Sequence, residues 1–202
     1  MDFTGRHVVV TGGTGALGTA VVAKLVEYGA HCRVPYVLEQ HLKNSPLRGD
    51  TRVEFLQVTD LAEEPEVERL YDGLPNLWAS IHIAGGFSAA KLADTNKAGL
   101  MAQIDTNLTS CFLCCRMAVI AMKKASGRIV NVASRQALEP RIGAGMIAYT
   151  IAKGGVAALT IALAEEVAAD GILVNAVAPS IMDTGANRKA MPKADFDKWP
   201  KV

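Results

Sequence analysis

The chain has 202 residues, half of them apolar and a fifth charged, with a formal net charge of +1. This composition is that of a globular protein and excludes a disordered or fibrous chain. A net charge so close to zero offers little electrostatic attraction to nucleic acid or an anionic membrane, so we expect neither as a partner. The first residues lack the charged leader and long apolar run of a signal peptide, and we expect a cytoplasmic protein.

Short runs rich in β-branched residues alternate with longer segments of helical periodicity. The predicted strands are 7–11, 31–36, 52–57, 77–83, 128–133 and 172–177. The predicted helices are 16–28, 63–74, 97–124 and 148–169, with a shorter one at 39–44. Apolar strands that alternate with helices are typical of a parallel sheet covered on both faces. We therefore predict one doubly wound α/β domain over residues 1–202, a three-layer α/β/α Rossmann fold.

The first predicted strand runs into a glycine-rich turn that opens the first helix. Gly12 suits a tight turn, Gly15 lets the backbone approach a phosphate, and Gly18 lets the helix pack close to the strand. The amino end of the helix then offers free N–H groups and a positive dipole to a pyrophosphate. No Gly-Lys-Ser/Thr follows, which disfavours a P-loop nucleotide hydrolase. We predict a dinucleotide site that also includes Thr14 and Leu17.

The end of the second predicted strand is where an acid normally binds the adenosine ribose of the dinucleotide. Here the strand ends at Tyr36, and no carboxylate follows until Glu39. Tyr36 is suited to stacking on the adenine, although an aromatic residue at a strand end also has a purely structural use. No arginine stands at the tip of this strand, so the choice between NAD and NADP stays open.

Three of the four cysteines, Cys111, Cys114 and Cys115, form a Cys-x-x-Cys-Cys segment. Such spacing is found in metal and redox sites. The segment lies in a predicted helix, however, and the sequence shows no second group of ligands beside it. Free cysteines are often small buried apolar residues. We therefore expect a packing role for these thiols and no metal.

Tyr149 and Lys153 are four residues apart at the start of a predicted helix, which places them on one face. An ammonium within about 4–6 Å favours tyrosinate and lowers the phenol pKa, normally near 10, by roughly 1–3. A phenol of this kind can exchange a proton near neutral pH. Ser134 follows the strand 128–133 at the same sheet edge, where its hydroxyl can hold a substrate oxygen. Read alone, the Tyr-Lys pair is also a common solvated surface pattern.

Together these residues resemble the short-chain dehydrogenase/reductase family along nearly the whole chain. The resemblance rests on Thr11-Gly12 through Gly18, Asp60-Leu61, Ala84-Gly85, Asn107, Ser134, Tyr149-x-x-x-Lys153, Asn175 through Pro179, and Thr184. It implies an oxidoreductase that moves a hydride between NAD(P)(H) and a small-molecule carbonyl or alcohol substrate.

The resemblance implies catalytic roles for four side chains. Tyr149 would be the general acid/base, and Lys153 would lower its pKa and bond the nicotinamide ribose. Ser134 would orient the substrate carbonyl. Asn107 would hold a water in a proton relay behind Lys153. Without the resemblance, its position within a predicted helix indicates only a polar residue on the face of that helix.

The resemblance also implies cofactor contacts in several segments. Asp60 would contact the adenine, and the segment after the last strand would position the nicotinamide carboxamide. The full predicted set is Gly12, Thr14, Gly15, Leu17, Gly18, Tyr36, Asp60, Leu61, Ala84, Gly85, Tyr149, Lys153, Pro179, Ile181 and Thr184.

Four features depart from the family pattern. The turn has glycine at 15 and alanine at 16, a spacing closer to the branch that includes sugar-nucleotide epimerases. The usual Asn-Asn-Ala-Gly is His82-Ile83-Ala84-Gly85, and the usual Pro-Gly is Pro179-Ser180. The chain ends at Val202, before the final helix and strand that usually help to close the substrate side and one subunit interface.

Three function hypotheses remain. The first is an active carbonyl reductase or alcohol dehydrogenase, because all four catalytic residue types are present. The second is a non-catalytic NAD(P)-binding regulator of the same fold. The third is a nucleotide-sugar epimerase or dehydratase, against which the absence of a separate carboxyl-terminal substrate domain argues.

The sequence does not specify the substrate, but it indicates an apolar pocket and an oligomer. Apolar residues lie in or beside two loops at the carboxyl edge: Phe87, Leu92, Ile142, Met146, Ile147 and Met182. The predicted helices 97–124 and 148–169 are apolar on more of their circumference than one sheet face needs. We therefore expect a homodimer or homotetramer that pairs through these helices, as members of the family do.

Overall fold

The computed structural model describes residues 1–122 and 126–202 and contains a six-stranded, wholly parallel sheet. Its strands are β1 (His7–Thr11), β2 (His31–Tyr36), β3 (Val53–Gln57), β4 (Leu77–His82), β5 (Gly127–Val132) and β6 (Ile172–Val177). The spatial order is β3-β2-β1-β4-β5-β6, so the winding direction reverses between β1 and β4. The Rossmann-type α/β prediction is confirmed, and the reversal marks the edge where such sheets bind ligands.

Helices connect the strands in the predicted order. They are α1 (Ala16–Glu27), α2 (Glu39–Lys43), α3 (Glu64–Tyr71), α4 (Lys97–Ile104), α5 (Ser110–Met122), α6 (Arg135–Leu138), α7 (Ile147–Glu166) and α8 (Gly185–Ala190). Short 3₁₀ turns lie in the loops at Leu92–Asp94 and Pro140–Gly143.

The prediction of one continuous helix over 97–124 is wrong, because a π turn at Asp105–Thr109 separates α4 from α5. The cause is a side chain that competes for a helix carbonyl. Asn107 Nδ2 donates to the Gln103 carbonyl, four residues earlier, at 3.1 Å. A side chain inserted into the backbone ladder widens the turn locally. The last two residues of the predicted helix lie outside the described residues.

The core consists of two apolar clusters, one on each face of the sheet. The larger cluster lies under α3, α5 and α7 and includes Ile129, Val156 and Ile172. The smaller cluster lies under α1 and is built around Val8 and Val34. Side chains along a strand alternate between the two faces, so the central strand β1 contributes Val9 to the larger cluster and Val8 to the smaller one.

Helices cover both faces of the sheet as predicted, but the cover is uneven at β6. On β6, Ile172 and Val174 are buried in the larger cluster, whereas Leu173 and Val177 point to the other face and are about half exposed, at 51% and 49%. In the part of the chain that the structure describes, the cover that α1 provides over β1 and β2 does not reach this end.

Two helical stretches, Lys97–Met122 and Ile147–Glu166, are long and apolar enough to cross a membrane by length and composition. Core helices of soluble proteins have the same properties. Here α5 packs on β4 and α7 packs on β6, so each stretch already covers the sheet.

Candidate active site

The glycine-rich turn after β1 forms a backbone cradle. Gly12 has a φ of +69°, and a Cβ there would lie 2.7 Å from the Ala84 backbone nitrogen, so only glycine fits. Gly15 donates its N–H to the Gly12 carbonyl at 3.0 Å and is exposed. Within the described residues no side chain caps α1, which begins at Ala16. The first-turn N–H groups therefore remain available to an anion.

The cradle lies against the end of β2. A Cβ on Gly13 would lie 2.7 Å from Val34 Cγ1, which shows how closely turn and strand pack. Two residues farther along, the Tyr36 hydroxyl donates to Glu39 Oε1 at 3.2 Å. Partial burial, and then the Glu39 carboxylate, raise the pKa of Tyr36. Glu39, the first acid after β2 in the sequence, is therefore held at the end of this strand by Tyr36, the residue predicted to stack on the adenine.

The other predicted contacts at this end occupy two neighbouring turns. Asp60 Oδ1 accepts the Ala62 N–H at 2.9 Å, so this carboxylate shapes the turn after β3, and Leu61 beside it is buried. The Ala84 N–H donates to Thr11 Oγ1 at 3.2 Å and thereby ties the exit of β4 to the end of β1.

Asn107 is buried and connects the π turn to the loop after β4. Its Oδ1 accepts the Gly86 N–H at 3.2 Å, and its Nδ2 donates to the Gly86 carbonyl at 3.0 Å. A Cβ on Gly85 would lie 2.6 Å from Asn107 Oδ1 and 3.3 Å from Lys153 Nζ. The structure therefore brings Gly85, Asn107 and Lys153 together, as the resemblance implied.

Lys153 is buried, and its Nζ donates to the Val132 carbonyl at 2.7 Å. Burial is the main cause that lowers its pKa. The expectation that this ammonium lowers the pKa of Tyr149 is not met. Burial of the phenol raises the pKa of Tyr149, and the only opposing influence is the neighbouring Ser134 hydroxyl. The ammonium is directed at a backbone carbonyl instead, and no hydrogen bond joins it to Tyr149 in the described chain.

Ser134 has a buried polar atom without a partner. Its Oγ has no hydrogen bond of good geometry to any described residue, although it lies close enough to Tyr149 to oppose the rise in the phenol pKa. An unpartnered buried hydroxyl is costly. Beside the half-buried Tyr149 phenol, it fits a site that receives an oxygen atom from a ligand.

The segment after β6 meets the same edge. The Arg135 N–H, next to Ser134, donates to the Pro179 carbonyl at 3.1 Å. Thr184 caps α8 by accepting the Asn187 N–H at 3.2 Å. Ile181, between them, is exposed. The segment that contains Pro179, Ile181 and Thr184 therefore borders the catalytic candidates. The Thr184 side chain caps a helix and the Ile181 side chain faces solvent.

Two further residues near the candidate site were not predicted as catalytic or cofactor-binding residues. Phe87 was predicted only as a pocket residue, yet its ring packs edge-on against Tyr149 with centroids 5.1 Å apart. Gln103 was missed; its buried Oε1 has no partner among the described residues, and it lines a cleft of about 230 Å³ with Ser88 and Met146. The helical position of Gln103 gave no signal, because the π turn that follows it was not predicted.

Comparisons with known proteins agree with this arrangement. A family model for short chain dehydrogenases matches residues 6–195. The 3-oxoacyl-[acyl-carrier-protein] reductase FabG of Rickettsia typhi is 31% identical over 196 residues, which are 96% of this chain and 79% of that protein. The galactitol 2-dehydrogenase of Rhizobium johnstonii is 34% identical over 203 residues, covering 93% and 78% of the two chains.

The fold also matches that of a solved structure. A short-chain type dehydrogenase/reductase from Mycobacterium ulcerans superposes with a TM-score of 0.89 at 21% identity, covering all of this chain and 80% of that one. The chain therefore belongs to the short-chain dehydrogenase/reductase family and is an NAD(P)-dependent oxidoreductase acting on C=O and CH–OH groups.

Proposed function

We propose that the chain reduces a small ketone or aldehyde with Tyr149 as the general acid. The observation that carries this proposal is a pair of neighbouring hydroxyls, the buried Ser134 Oγ, which has no partner among the described residues, beside the half-buried Tyr149 phenol. A phenol normally titrates near 10, so it carries its proton at neutral pH and can donate it. The bound nicotinamide supplies the hydride.

Each catalytic side chain has a distinct task in this proposal. Ser134 holds the carbonyl oxygen, and Tyr149 donates its proton to that oxygen as the carbon is reduced. Lys153 then stabilises the resulting tyrosinate and bonds the nicotinamide ribose. Asn107, fixed on the backbone of the loop after β4, helps return a proton from the Lys153 side. In the reverse direction the tyrosinate removes the alcohol proton.

The cradle residues would hold the pyrophosphate on the first turn of α1. Gly15 leaves room there for a ligand, Gly12 and Gly18 allow the close backbone packing that shapes the turn, and Thr14 and Leu17 belong to the same turn. At the adenosine end we propose a preference for NAD(H) over NADP(H). The support is the Glu39 carboxylate, which Tyr36 holds at the tip of β2, because a carboxylate repels a 2′-phosphate and accepts from a 2′-hydroxyl.

The substrate would be small. A cleft of about 230 Å³ is lined by Met146 and Ala148, just before Tyr149 in the chain, and its volume is below the usual size of drug-like ligand sites. Gln103, whose buried Oε1 has no partner among the described residues, also lines this cleft and would offer an acceptor for a substrate hydroxyl. Two substrate classes are suggested by the names of the relatives. A 3-oxoacyl-[acyl-carrier-protein] reductase suggests a thioester-linked ketone, and a galactitol 2-dehydrogenase suggests a ketose derived from a polyol.

We also propose a soluble, cytoplasmic homodimer or homotetramer. Along Lys97–Met122 and Ile147–Glu166 only 39% and 22% of the most apolar windows are buried, and the exposed side chains include Phe112 and Ile161. A second copy is the simplest cover. Light scattering at micromolar concentration should give a multiple of the chain mass, and Ile161→Glu should reduce it while leaving the circular dichroism spectrum unchanged. A monomeric parent would contradict the proposal.

A panel assay tests the proposed reaction. Oxidation of NADH and NADPH would be followed with simple ketones, aldehydes, ketoses and 3-oxoacyl thioesters, and cofactor binding would be titrated in parallel by fluorescence. Turnover of at least one carbonyl class that is lost in Tyr149→Phe supports the proposal. Tight cofactor binding with no turnover on any class would favour a non-catalytic NAD(P)-binding regulator.

A further inference from the structure

A buried polar cluster lies within the larger core cluster. It consists of His82 at the end of β4, Cys111 and Cys115 on α5, and Asn131 on β5, all of them buried. The three ligand atoms His82 Nδ1, Cys111 Sγ and Cys115 Sγ lie within 4.8 Å of one another. We propose that this cluster binds a thiophilic d¹⁰ cation of the Zn²⁺ type, with Asn131 Oδ1 as the fourth ligand.

The distances approach those of a tetrahedral site. With metal–sulfur bonds of about 2.3 Å and metal–nitrogen or –oxygen bonds of about 2.0–2.2 Å, the ligand atoms of a tetrahedron are about 3.4–3.8 Å apart. Here His82 Nδ1 lies 3.5 Å from Cys115 Sγ, and Asn131 Oδ1 lies 3.4 Å and 3.5 Å from the sulfurs of Cys111 and Cys115. The 2.8 Å between His82 Nδ1 and Asn131 Oδ1 must open to admit an ion, and the Cys111 sulfur, which lies within 4.8 Å of the His82 and Cys115 ligand atoms, completes the set.

The amide oxygen of Asn131 is held towards the cluster by a chain of hydrogen bonds. Thr160 Oγ1 donates to the Val156 carbonyl at 2.7 Å, so its oxygen is left to accept from Asn131 Nδ2 at 2.9 Å. The amide therefore cannot flip without losing that bond. Its oxygen then faces three donors, His82 and two thiols, with only two lone pairs. A bound cation removes this excess of donors, because the His82 ring nitrogen and the two cysteine sulfurs then lose their hydrogens and act as ligands.

The other side of the imidazole is also supported. His82 Nε2 lies 2.8 Å from Ser80 Oγ and 3.3 Å from Tyr71 Oη, which in turn lie 2.6 Å from each other. A metal-bound histidine almost always bonds a partner through its other ring nitrogen, which fixes the ring and its tautomer. Both hydroxyls can rotate to accept an Nε2 hydrogen, so the outer shell of a histidine ligand is already present.

Charge and protons balance without a co-reactant. On binding, the imidazole hydrogen moves from Nδ1 to Nε2, and the thiols of Cys111 and Cys115 release two protons to solvent. A dication and two thiolates then form a neutral core, which a buried position tolerates far better than a net charge. The sequence predicts no metal, because no second group of ligands stands beside the cysteines in the chain. That group is His82, which the parallel pairing of β4 with β5 brings into place.

Cadmium titration of the whole chain tests the site. The protein is kept reduced with a phosphine, and Cd²⁺ binding is followed by the ultraviolet thiolate-to-metal charge-transfer absorbance. We expect saturation at one Cd²⁺ per chain. A hundredfold excess of Zn²⁺ over its Kd should raise the melting temperature by about 5 °C or more. Absence of a stoichiometric absorbance change in the folded parent would overturn the proposal.

The two remaining cysteines provide matched controls. Cys114 and Cys32 are as buried as the cluster cysteines and are not part of the cluster. Cys111→Ser and Cys115→Ser should each weaken Cd²⁺ binding at least a hundredfold, whereas Cys114→Ser and Cys32→Ser should change it less than threefold. Thr160→Val, which frees the Asn131 amide, should weaken it about tenfold, as removal of an outer-shell partner does. Equal losses in the cluster and control variants would refute the assignment.

X-ray absorption on the parent chain keeps the proposal testable if the serine variants fail to fold. With one equivalent of Zn²⁺ bound, we expect two sulfur ligands at about 2.3 Å and two nitrogen or oxygen ligands at about 2.0–2.2 Å. A first shell made only of nitrogen and oxygen, or one with four sulfurs, would place the ion elsewhere and contradict the proposal.

Discussion

The two halves of the carboxyl edge present different parts of the chain. Beside β1 and β2 the surface is backbone, since Gly12 and Gly15 leave no side chain over the first turn of α1. Beside β4 and β5 it is side chain, with Ser134, Tyr149 and Lys153 buried or half-buried around one space. A backbone cradle binds by shape and dipole, whereas proton transfer needs titratable groups.

This division makes a specific forecast about mutations. Beside β1 and β2, a larger side chain should weaken cofactor binding and leave the rate of the chemical step nearly unchanged. Beside β4 and β5, a truncated side chain should lower the rate of the chemical step and leave most of the cofactor affinity unchanged. Lys153 should be the exception, because its one ammonium is proposed to serve both.

Tyr149→Phe should have the largest effect, a fall in kcat of about 10²–10⁴-fold with the Kd for NAD(H) changed less than twofold. The hydroxyl is the proton donor, and its removal takes away general acid catalysis while the ring keeps its packing on Phe87. Stopped-flow reduction and fluorescence titration measure the two quantities. Tyr28→Phe, on the opposite edge, is the control. A parent-like kcat in an assay limited by chemistry would remove Tyr149 from the acid role.

Lys153→Met should lower kcat by about a hundredfold and also raise the Kd for NAD(H) by about tenfold. Methionine fills much of the same buried space, so lost packing contributes little, and the lost ammonium accounts for both effects. Isothermal titration and steady-state rates give the pair of values. A lower kcat with an unchanged Kd would show that the Lys153 ammonium acts in the chemical step alone, and would contradict its proposed second role in cofactor binding.

Gly15→Val should raise the Kd for NAD(H) by at least about tenfold while the protein stays folded. Gly15 has a φ of −81°, which valine adopts, and its Cβ would meet only the Gly12 carbonyl at 3.3 Å, so the cost falls on the ligand. Gly15→Ala should give a smaller rise. Gly13→Ala is unsuited as a mild comparison, since its Cβ would strike Val34. Parent affinity in folded Gly15→Val would show that the phosphates bind elsewhere.

Glu39→Gln should have the smallest effect, a narrowing of the NADH-over-NADPH preference by about fivefold. The carboxylate is exposed, so solvent screens its repulsion of a 2′-phosphate to roughly 1 kcal/mol. The ratio of kcat/KM values for the two cofactors measures it. Tyr36→Phe, which releases the Glu39 side chain, should move the ratio in the same direction. A parent that prefers NADPH would contradict the proposed specificity.

The sequence predicted the strands to within one residue, because buried parallel strands are nearly continuous apolar runs. It also predicted the glycine cradle, which depends only on local spacing. The uneven cover of the sheet was not predicted, since periodicity shows that Leu173 and Val177 are apolar but not what lies over them. The direction of the Tyr149 pKa was wrong for a related reason: four-residue spacing puts Lys153 on the same face but does not determine that its ammonium turns to Val132.

The His82 cluster was missed because its members are far apart in the chain. Cys111 and Cys115 are recognisable as a pair on one helix face, but only the order β1-β4-β5 and the crossing of α5 place His82 and Asn131 against them. A pattern within one segment cannot reveal a ligand supplied by a neighbouring strand.

The π turn at Asp105–Thr109 has a consequence for insertions and deletions. A π turn holds one more residue than an α turn. The extra residue is accommodated within the turn, so the helix beyond it keeps nearly the rotation that a regular α-helix would have. Deleting one residue there should restore a regular helix and leave Cys111 in place beside Asn131. The same deletion would remove the widening at Asn107, whose amide contacts Gly86. A change in the length of this segment should therefore harm the Asn107 contacts and spare the placement of α5.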